Sequence, residues 1–310
     1  MNLRASLFLP STTNAYFQLV GQEARARADI SGLALDVHLA EHVVQQIQQI
    51  YSRLHAPVEE RPQAVLVMPL QDDSLNRVIA DAAALGVSWI CLNRPAGDMD
   101  RLRQQHPNVA ISLITPDHYA SGKIQARQIL ALLPHGGRIL YVRGSAGNSS
   151  TRDRQQSFES EIGGTRVEMA HVLDGRWTLD DAERAVRSWL TLTVVGGGTV
   201  DAMVCQNDSM ALGAIQALAA VAASTGRAEL ASLPVVGCDG LPGIGQQLVD
   251  QGKLRATVVL PTTGAKAVEI LTAFLRGGPR PEARLVLAPS PYPPHLDLAG
   301  PGSGRFAAAG

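Results

Sequence analysis

The sequence predicts an α/β protein with two sheets of parallel strands, each covered by helices. Short β-branched or aliphatic runs alternate with longer amphipathic stretches, and these runs are continuously apolar, as in strands buried on both faces. About ten such runs occur in 310 residues. That number is too large for one compact sheet, so we expect two sheets in two lobes.

The expected strands and helices follow one another in a regular order. The strands are RASLFLP, GLALDVHL, AVLVMPL, VSWICLN, VAISLIT, RILYVRG, RVEMAHVL, DAMVCQN, LPVVGCDG and RATVVLP. Stretches such as LVGQEARARAD, VVQQIQQIYSRLHA and LDDAERAVRSWLTL predict helices between them. The run VVGGGTV at 194–200 predicts a helix stop and a turn, because no Lys-Ser or Lys-Thr follows it as in a phosphate loop. The Gly-rich end AGPGSGRFAAAG predicts a flexible tail.

Composition argues against two classes of partner. Lys and Arg total 27 against 28 Asp and Glu, and the basic residues form no stripe, so binding to nucleic acid is not expected. No apolar run approaches the ~20 residues that span a bilayer. The start MNLRASLFLP has too short an apolar core for a secretory leader. We expect either a cytosolic protein or one whose leader has been removed.

Neither the cysteines nor the histidines predict a metal site. Cys91, Cys205 and Cys238 lie far apart in apolar runs without a CxxC spacing, so we expect buried single thiols. The segment HLAEH, from His38 to His42, matches the H-x-x-E-H pattern of inverted zinc peptidases, which requires both histidines on one helix face. Because His38 is predicted to end a strand and the helix to start at about Glu41, exposed loop histidines are favoured over zinc.

Polar and aromatic side chains follow one predicted strand after another. The carboxyl ends of parallel strands face the crevice in which ligands bind. These side chains are Asn14, Tyr16, Phe17, Asn93, Arg94, Arg152, Arg154, Trp177, Asn207, Asp208 and Asp239. Planar polar groups bond neighbouring hydroxyls and aromatic faces cover the C–H side of a sugar ring, whereas a nucleophile or general base is almost absent. The set favours binding of a polyhydroxylated ligand over catalysis, so an enzyme is not expected.

The junction at Asn207 and Asp208 has a second interpretation. Either residue could cap the following helix instead of binding a ligand, because both types accept hydrogen bonds from the free N–H groups at a helix start.

Six segments together resemble a known family. TTNAYF, ICLNRPA, SSTRDRQQSF, CQNDSMALGAIQAL, VVGCDGLPG and GKLRATVVLPTTGAKAVE resemble, in this order and along essentially the whole chain, the ribose-binding-protein branch of the type I periplasmic binding proteins. The resemblance implies two Rossmann-like lobes, 1–117 plus 259–288 and 118–258 plus 289–310, joined by a three-stranded hinge and closing on a monosaccharide. It implies no cofactor and no metal.

The resemblance also assigns roles to the polar strand ends. Contacts from the first lobe would come from Asn14, Tyr16, Phe17, Asn93 and Arg94, and contacts from the second lobe from Arg154, Trp177, Asn207 and Asp239. Asp208 would cap its helix. For the three aromatic residues, ordinary core packing is the alternative.

Two positions depart from the family pattern. Asn93 stands where an Asp is usual, and Leu260 stands where a Gln usually precedes the proline of the second crossing. With Arg94 and Arg154 facing Asp239 as the only clearly assigned anion, the pocket would be more positive than in its ribose-binding relatives. An acidic sugar derivative is therefore the alternative to the neutral monosaccharide that the family suggests.

The expected function is delivery of a small-molecule sugar to an ABC transporter permease by a monomeric periplasmic protein. The alternative is the sugar-sensing domain of a regulator or receptor, in the cytoplasm, without its DNA-binding or signalling part. The first expected strand begins by residue 3, so no DNA-binding headpiece is expected within this sequence.

Overall fold

The computed structural model describes residues 3–11, 14–195 and 198–295. Contacts divide the chain into two units. The first is Met1–Pro116 with Gly147–Ser150 and Pro261–Leu287, and the second is Asp117–Ala146 with Thr151–Leu260 and Ala288–Gly310. The predicted tail and the centre of the predicted turn at 194–200 lie outside the described residues.

The first unit contains a six-stranded parallel sheet. Its strands, in spatial order, are β11 (Arg284–Leu287), β5 (Ile111–Pro116), β4 (Ser88–Leu92), β3 (Ala64–Val67), β1 (Leu3–Pro10) and β2 (Leu33–Ala40). Its helices are α1 (Ala15–Ser31), α2 (Val43–Leu54), α3 (Asn76–Ala84), α4 (Met99–Gln105) and α10 (Gly264–Leu275). The central strands β3, β4 and β5 are buried along their whole length, which explains their continuous apolar sequences.

The second unit contains a four-stranded parallel sheet. Its strands, in spatial order, are β7 (Val167–Asp174), β6 (Gly137–Arg143), β8 (Ala202–Cys205) and β9 (Val235–Val236). A separate antiparallel pair is formed by β10 (Thr257–Val259) and β12 (Ser290–Tyr292). The helices are α5 (His118–Leu132), α6 (Ser149–Ile162, whose first two residues belong to the first unit), α7 (Leu179–Val195), α8 (Asp208–Thr225) and α9 (Gln247–Asp250).

Close packing explains why α8 is almost uncharged. This helix lies against α7, and its buried face is made of Ala, Leu, Val and Met side chains. A Cβ atom added at Gly213 would come within 2.3 Å of the Leu179 carbonyl oxygen. Only glycine permits this approach of the two helices, and beyond Asp208 at its first position the helix carries only uncharged side chains.

The predicted α/β class with parallel sheets is confirmed, and all ten expected strands are present. The described residues add two strands that the sequence did not predict, β11 and β12. β11 is a short edge strand whose side chains alternate between exposed and half-buried, and β12 has three residues including Pro291. Neither has the continuous apolar run of a central strand, so neither is recognisable without its neighbours.

The segment HLAEH does not form a helical zinc site. Strand β2 continues to Ala40 and α2 begins at Val43, two residues later than expected, because His42 is the N-cap and its Nδ1 accepts from the Gln45 N–H at 3.1 Å. His38 stacks on Phe8 within the sheet. Residues 3–11, 14–195 and 198–295 contain no cluster of side chains suited to a metal ion, and no helix among them could span a membrane.

The three cysteines are buried free thiols, as predicted. Burial raises the pKa of Cys91 and of Cys238 to about 12, and it also raises the pKa of Cys205. The thiolate is therefore disfavoured at all three positions, and these residues pack as small hydrophobes.

Candidate functional site

In the second unit, every predicted site residue follows the carboxyl end of a strand. Arg154 lies on α6 after β6, Trp177 follows β7, Asn207 follows β8 and Asp239 follows β9. Because these four strands are neighbours in one parallel sheet, their carboxyl ends meet at the same edge. The sheet therefore brings a guanidinium, an indole, an amide and a carboxyl group to one edge.

Arg154 is buried and held by three groups of the second unit. Its Nη1 donates to the Gln206 carbonyl oxygen, and its Nε and Nη2 lie 3.3 and 3.2 Å from Nδ1 of His118. The guanidinium carbon lies 5.4 Å from the centre of the Trp177 ring, within the range of a cation–π contact. The position of the charge is thus set by the protein before any ligand binds.

Trp177 is positioned by an unusual backbone conformation. Both Arg176 and Trp177 have positive φ angles, 49° and 69°, in the region that non-glycine residues seldom adopt. The indole lies against Gly144, where an added Cβ atom would come within 2.0 Å of Cε2. The Asn207 Nδ2 donates to the Trp177 carbonyl oxygen at 3.1 Å. These contacts hold the half-buried ring at the sheet edge.

Trp177 is expected to report ligand binding through its fluorescence, because the ring would stack on a ligand face. The other two tryptophans are Trp89, fully buried in β4, and Trp189, which lies on α7 and stacks on His171. Replacement of Trp177 by phenylalanine should remove most of the ligand-induced change in emission. A variant that retains the full change would place the signal at another tryptophan.

The structure changes one of the two roles expected at the junction after β8, the helix cap. Asn207 is the N-cap of α8: its backbone is extended and its Oδ1 accepts from the Met210 N–H at 2.8 Å. The expectation that Asp208 caps the helix is wrong, because Asp208 is already its first helical residue. The amide of Asn207 also has two N–H donors, and the bond to the Trp177 carbonyl uses one of them.

Asp208 forms hydrogen bonds to two other segments of the chain, the loop after β9 and strand β10. Its carboxylate accepts from the Gly240 N–H and from the Thr257 hydroxyl, each at 2.7 Å. Cβ atoms added at Gly237 and Gly245 would lie within 2.1 and 1.9 Å of the two carboxylate oxygens. Burial raises the pKa of Asp208 to about 7, although these hydrogen bonds oppose the shift.

Asp239 lies in the loop after β9, next to Gly240, which donates a hydrogen bond to Asp208. Asp239 has a φ of 109°, its N–H donates to the Val258 carbonyl and its own carbonyl accepts from the Leu260 N–H, both at 3.0 Å. Burial raises the pKa of Asp239 well above its ordinary value; Arg154 lowers this pKa and Asp208 raises it further. Leu260, one of the two departures from the family pattern, is buried.

In the first unit, Asn14, Tyr16 and Phe17 form the start of α1. Asn14 is the N-cap, and its Oδ1 accepts from the Tyr16 and Phe17 N–H groups at 2.9 and 3.4 Å. Tyr16 is buried and its hydroxyl donates to the Pro261 carbonyl at 3.0 Å, whereas Phe17 is only half-buried. Of these two aromatic rings, that of Phe17 is therefore the more accessible to a ligand.

Asn93 and Arg94 follow β4, which is separated from β1 in the sheet by β3. Asn93 has a positive φ of 68°, a conformation that asparagine adopts more readily than most residues. Its N–H donates to the Ile114 carbonyl at 2.8 Å. Arg94 is buried, with Nη1 donating to the Leu70 carbonyl at 3.2 Å. Both side chains thus start from a turn anchored to the sheet.

Two residues near Arg154 are absent from the predicted set of ligand contacts, Gln206 and His118. Gln206 is fully buried; its Oε1 accepts from the Gly144 N–H, and its Nε2 donates to the Tyr141 hydroxyl and the Thr151 carbonyl. A glutamine directly after a buried strand is a signal that could have identified it. His118 has a similar signal, since it lies two residues after the buried strand β5, but its contact with Arg154, 36 residues away along the chain, has none.

Comparisons with known proteins agree with this architecture. The sequence profile of a family described as periplasmic binding protein domain matches residues 5–279. The ribose import binding protein RbsB of Salmonella typhimurium is 29% identical over 215 residues, which cover 69% of this chain and 66% of that protein, just under two thirds. A putative rhizopine-binding protein of Rhizobium meliloti is 26% identical over 262 residues, 80% of each chain. A Caulobacter myo-inositol binding protein bound to myo-inositol shares the fold, with a TM-score of 0.80 at 20% identity over 94% of this chain and 93% of that one.

Proposed function

The chain belongs to the type I periplasmic binding proteins, in their ribose-binding-like branch, and from that premise we propose that it binds a neutral monosaccharide or a similar polyol and delivers it to an ABC importer. The observation that carries the proposal is the group formed by Arg154, Trp177, Asn207 and Asp239 at one sheet edge of the second unit. Members of the family are non-enzymatic solute-binding proteins, and the family implies an extracytoplasmic location. For this chain, we propose the periplasm.

Each member of the group has a role in binding hydroxyl groups. Among the described residues, hydrogen bonds occupy three of the five N–H groups of Arg154, so two donors are available to a ligand. Asp239 would accept from hydroxyls, which would also stabilise its buried carboxylate. The Trp177 ring would cover the C–H face of the ligand, and the second N–H of Asn207 would complete the set.

We propose the same ligand-binding role for the predicted residues of the first lobe. They follow two strands of the first unit, β1 and β4, and are Asn14, Tyr16, Phe17, Asn93 and Arg94. The lobes are proposed as 1–117 plus 259–288 and 118–258 plus 289–310, in a monomer. The alternative of a sugar-sensing domain of a regulator gains no support from the relatives described above, which are named as binding proteins.

The charge of the site supports a neutral ligand over an acidic one. The sequence argument for an acidic ligand counted Asp239 as the only clearly assigned anion facing Arg94 and Arg154. Asp208 is a second buried carboxyl group that interacts electrostatically with both Arg154 and Asp239. Arg154 therefore has two carboxyl groups as partners without a ligand carboxylate, and it lowers the pKa of each against the effect of burial. The relatives described above are named for ribose, rhizopine and myo-inositol.

A thermal-shift panel tests the proposal. Each neutral sugar or polyol, with ribose and myo-inositol included, is paired with its aldonate, uronate or phosphate where one exists. A ligand at about 100 times its Kd stabilises the folded state by about 2.7 kcal/mol, so a binding compound should raise Tm clearly. A rise in Tm with the acidic compounds alone would show that the ligand is acidic rather than neutral. A panel in which no compound raises Tm would reject sugar binding.

A further inference from the structure

His118 is a buried histidine that faces the guanidinium of Arg154. It is the first residue of α5, directly after Asp117, whose Oδ1 accepts from the Ala120 N–H at 2.8 Å and caps the helix. Two nitrogens of Arg154, Nε and Nη2, lie 3.3 and 3.2 Å from the same imidazole nitrogen, Nδ1. The backbone of α5 thus places one ring nitrogen of His118 against the fork of the arginine.

This geometry defines the protonation state of the imidazole. An arginine side chain can only donate hydrogen bonds, so Nδ1 of His118 must carry a lone pair and the ring proton must be on Nε2. A doubly protonated imidazole would direct an N–H toward the guanidinium and place two positive charges in contact. The observed arrangement requires neutral His118.

Charged groups from three other segments of the second unit lie next to the pair in sequence or interact with it. Asp117 precedes α5, Asp208 begins α8 and Asp239 follows β9. Both Asp208 and Asp239 interact electrostatically with Arg154, and burial raises the pKa of each. Acidification therefore acts on these carboxyl groups as well as on the imidazole, and a test must separate the two.

We propose that neutral His118 is a positioning residue that holds the Arg154 guanidinium beside Trp177, and that protonation of His118 releases the guanidinium and weakens ligand binding. The effect on binding rests on the function proposed above. The effect on Arg154 does not, because the contacts among His118, Arg154 and Trp177 involve no ligand.

Two substitutions distinguish positioning from simple packing. His118→Asn places an amide oxygen near the position of Nδ1, so it retains an acceptor for Arg154 but does not titrate. His118→Leu fills similar space without an acceptor. A residue that only packs would be replaced better by leucine, whereas a positioning acceptor would be rescued by asparagine.

The first measurement needs no ligand. Trp177 emission is followed from about pH 8 to about pH 5, a range that spans the ordinary pKa of an imidazole. The background is Trp189→Phe, because His171 stacks on Trp189 and its own titration would otherwise contribute. We expect a transition that is smaller in His118→Asn, because this variant keeps the carboxyl groups near Arg154 but lacks the imidazole. Superimposable transitions with and without the imidazole would overturn the proposal.

The second measurement keeps the test valid if a variant fails to fold. Long-range ¹H–¹⁵N NMR spectra of the unsubstituted protein distinguish a protonated imidazole nitrogen from an unprotonated one. At about pH 8 we expect Nδ1 of His118 to be unprotonated and Nε2 to carry the proton. A proton on Nδ1 would contradict the contact with Arg154 and overturn the proposal.

The third measurement is the Kd for the best compound of the sugar panel, by calorimetry. Below the pKa of His118, binding to the unsubstituted protein should weaken by up to about tenfold per pH unit, as expected for one linked proton. His118→Asn should show a weaker pH dependence and His118→Leu should bind weakly throughout. Identical pH profiles for the protein and His118→Asn would overturn the proposal. If no sugar binds, the proposed function fails, while the ligand-free measurements still decide the role of His118.

Discussion

Replacement of Arg154 by methionine is expected to weaken ligand binding by at least about a hundredfold while the second unit stays folded. The guanidinium would make charge-assisted hydrogen bonds to the ligand, each contributing about 1.5 to 3 kcal/mol, and two such bonds correspond to this loss. Methionine retains most of the aliphatic stem, so the packing of the stem changes little, whereas the contact of the guanidinium with the Trp177 ring is lost. The substitution also removes the cation that lowers the pKa of both Asp208 and Asp239.

The matched control is Arg127→Met on α5 of the same unit. Arg127 is exposed, pairs with Glu161 at 2.8 Å and belongs to no part of the proposed site. Calorimetry with the best compound of the sugar panel should show an unchanged Kd for Arg127→Met, and circular dichroism should show that both variants are folded. A loss below about tenfold for Arg154→Met would remove Arg154 from the ligand contacts.

Replacement of Asp208 by alanine is expected to lower the free energy of unfolding by about 2 to 5 kcal/mol. The substitution leaves two buried donors, the Gly240 N–H and the Thr257 hydroxyl, without the acceptor they have in the folded chain. Each unsatisfied donor costs about 1 to 3 kcal/mol, and the space next to Gly237 and Gly245 is emptied as well.

Asp208→Asn is the matched control for this loss. Its amide oxygen can accept from the Gly240 N–H while its amide nitrogen donates to the Thr257 hydroxyl oxygen, so of the two bonds only the one donated by that hydroxyl is lost. Urea unfolding should therefore rank Asn well above Ala. Equal losses for the two variants would show that the hydrogen bonds of Asp208 do not hold the loop.

The difference in unfolding free energy between the unsubstituted protein and Asp208→Asn is expected to depend on pH. The pKa of Asp208 is raised to about 7 in the folded state by burial, so the folded protein holds this proton where the unfolded chain has lost it. The contribution of Asp208 to stability is therefore greatest in acid and falls as the pH rises through about 7. We expect the difference in unfolding free energy between the protein and Asp208→Asn to move in favour of the protein as the pH falls from about 8 to about 6. A difference independent of pH would contradict the raised pKa.

Local sequence pattern was enough to predict most of the architecture. The continuous apolar runs of β3, β4 and β5 have that pattern because both faces of the sheet are covered, so burial is visible in the sequence itself. The sequence also predicted that Arg154, Trp177 and Asp239 follow strands of one sheet, here β6, β7 and β9. A parallel sheet aligns its strand ends, and this property does not depend on details of side-chain packing.

The sequence by itself determined the fold class, the order of the strands along the chain and the residues at the strand ends. Only the tertiary structure decided that β11 is a strand, that Asn207 rather than Asp208 caps α8, and that His118 lies against Arg154. A short edge strand such as β11 is identified only by its pairing with the neighbouring strand. The role of a polar side chain depends on which hydrogen-bond donors the fold places within reach. Gly240 and Thr257 lie 32 and 49 residues from Asp208, and Arg154 lies 36 from His118. Such contacts form only when the chain is folded, so no local pattern encodes them.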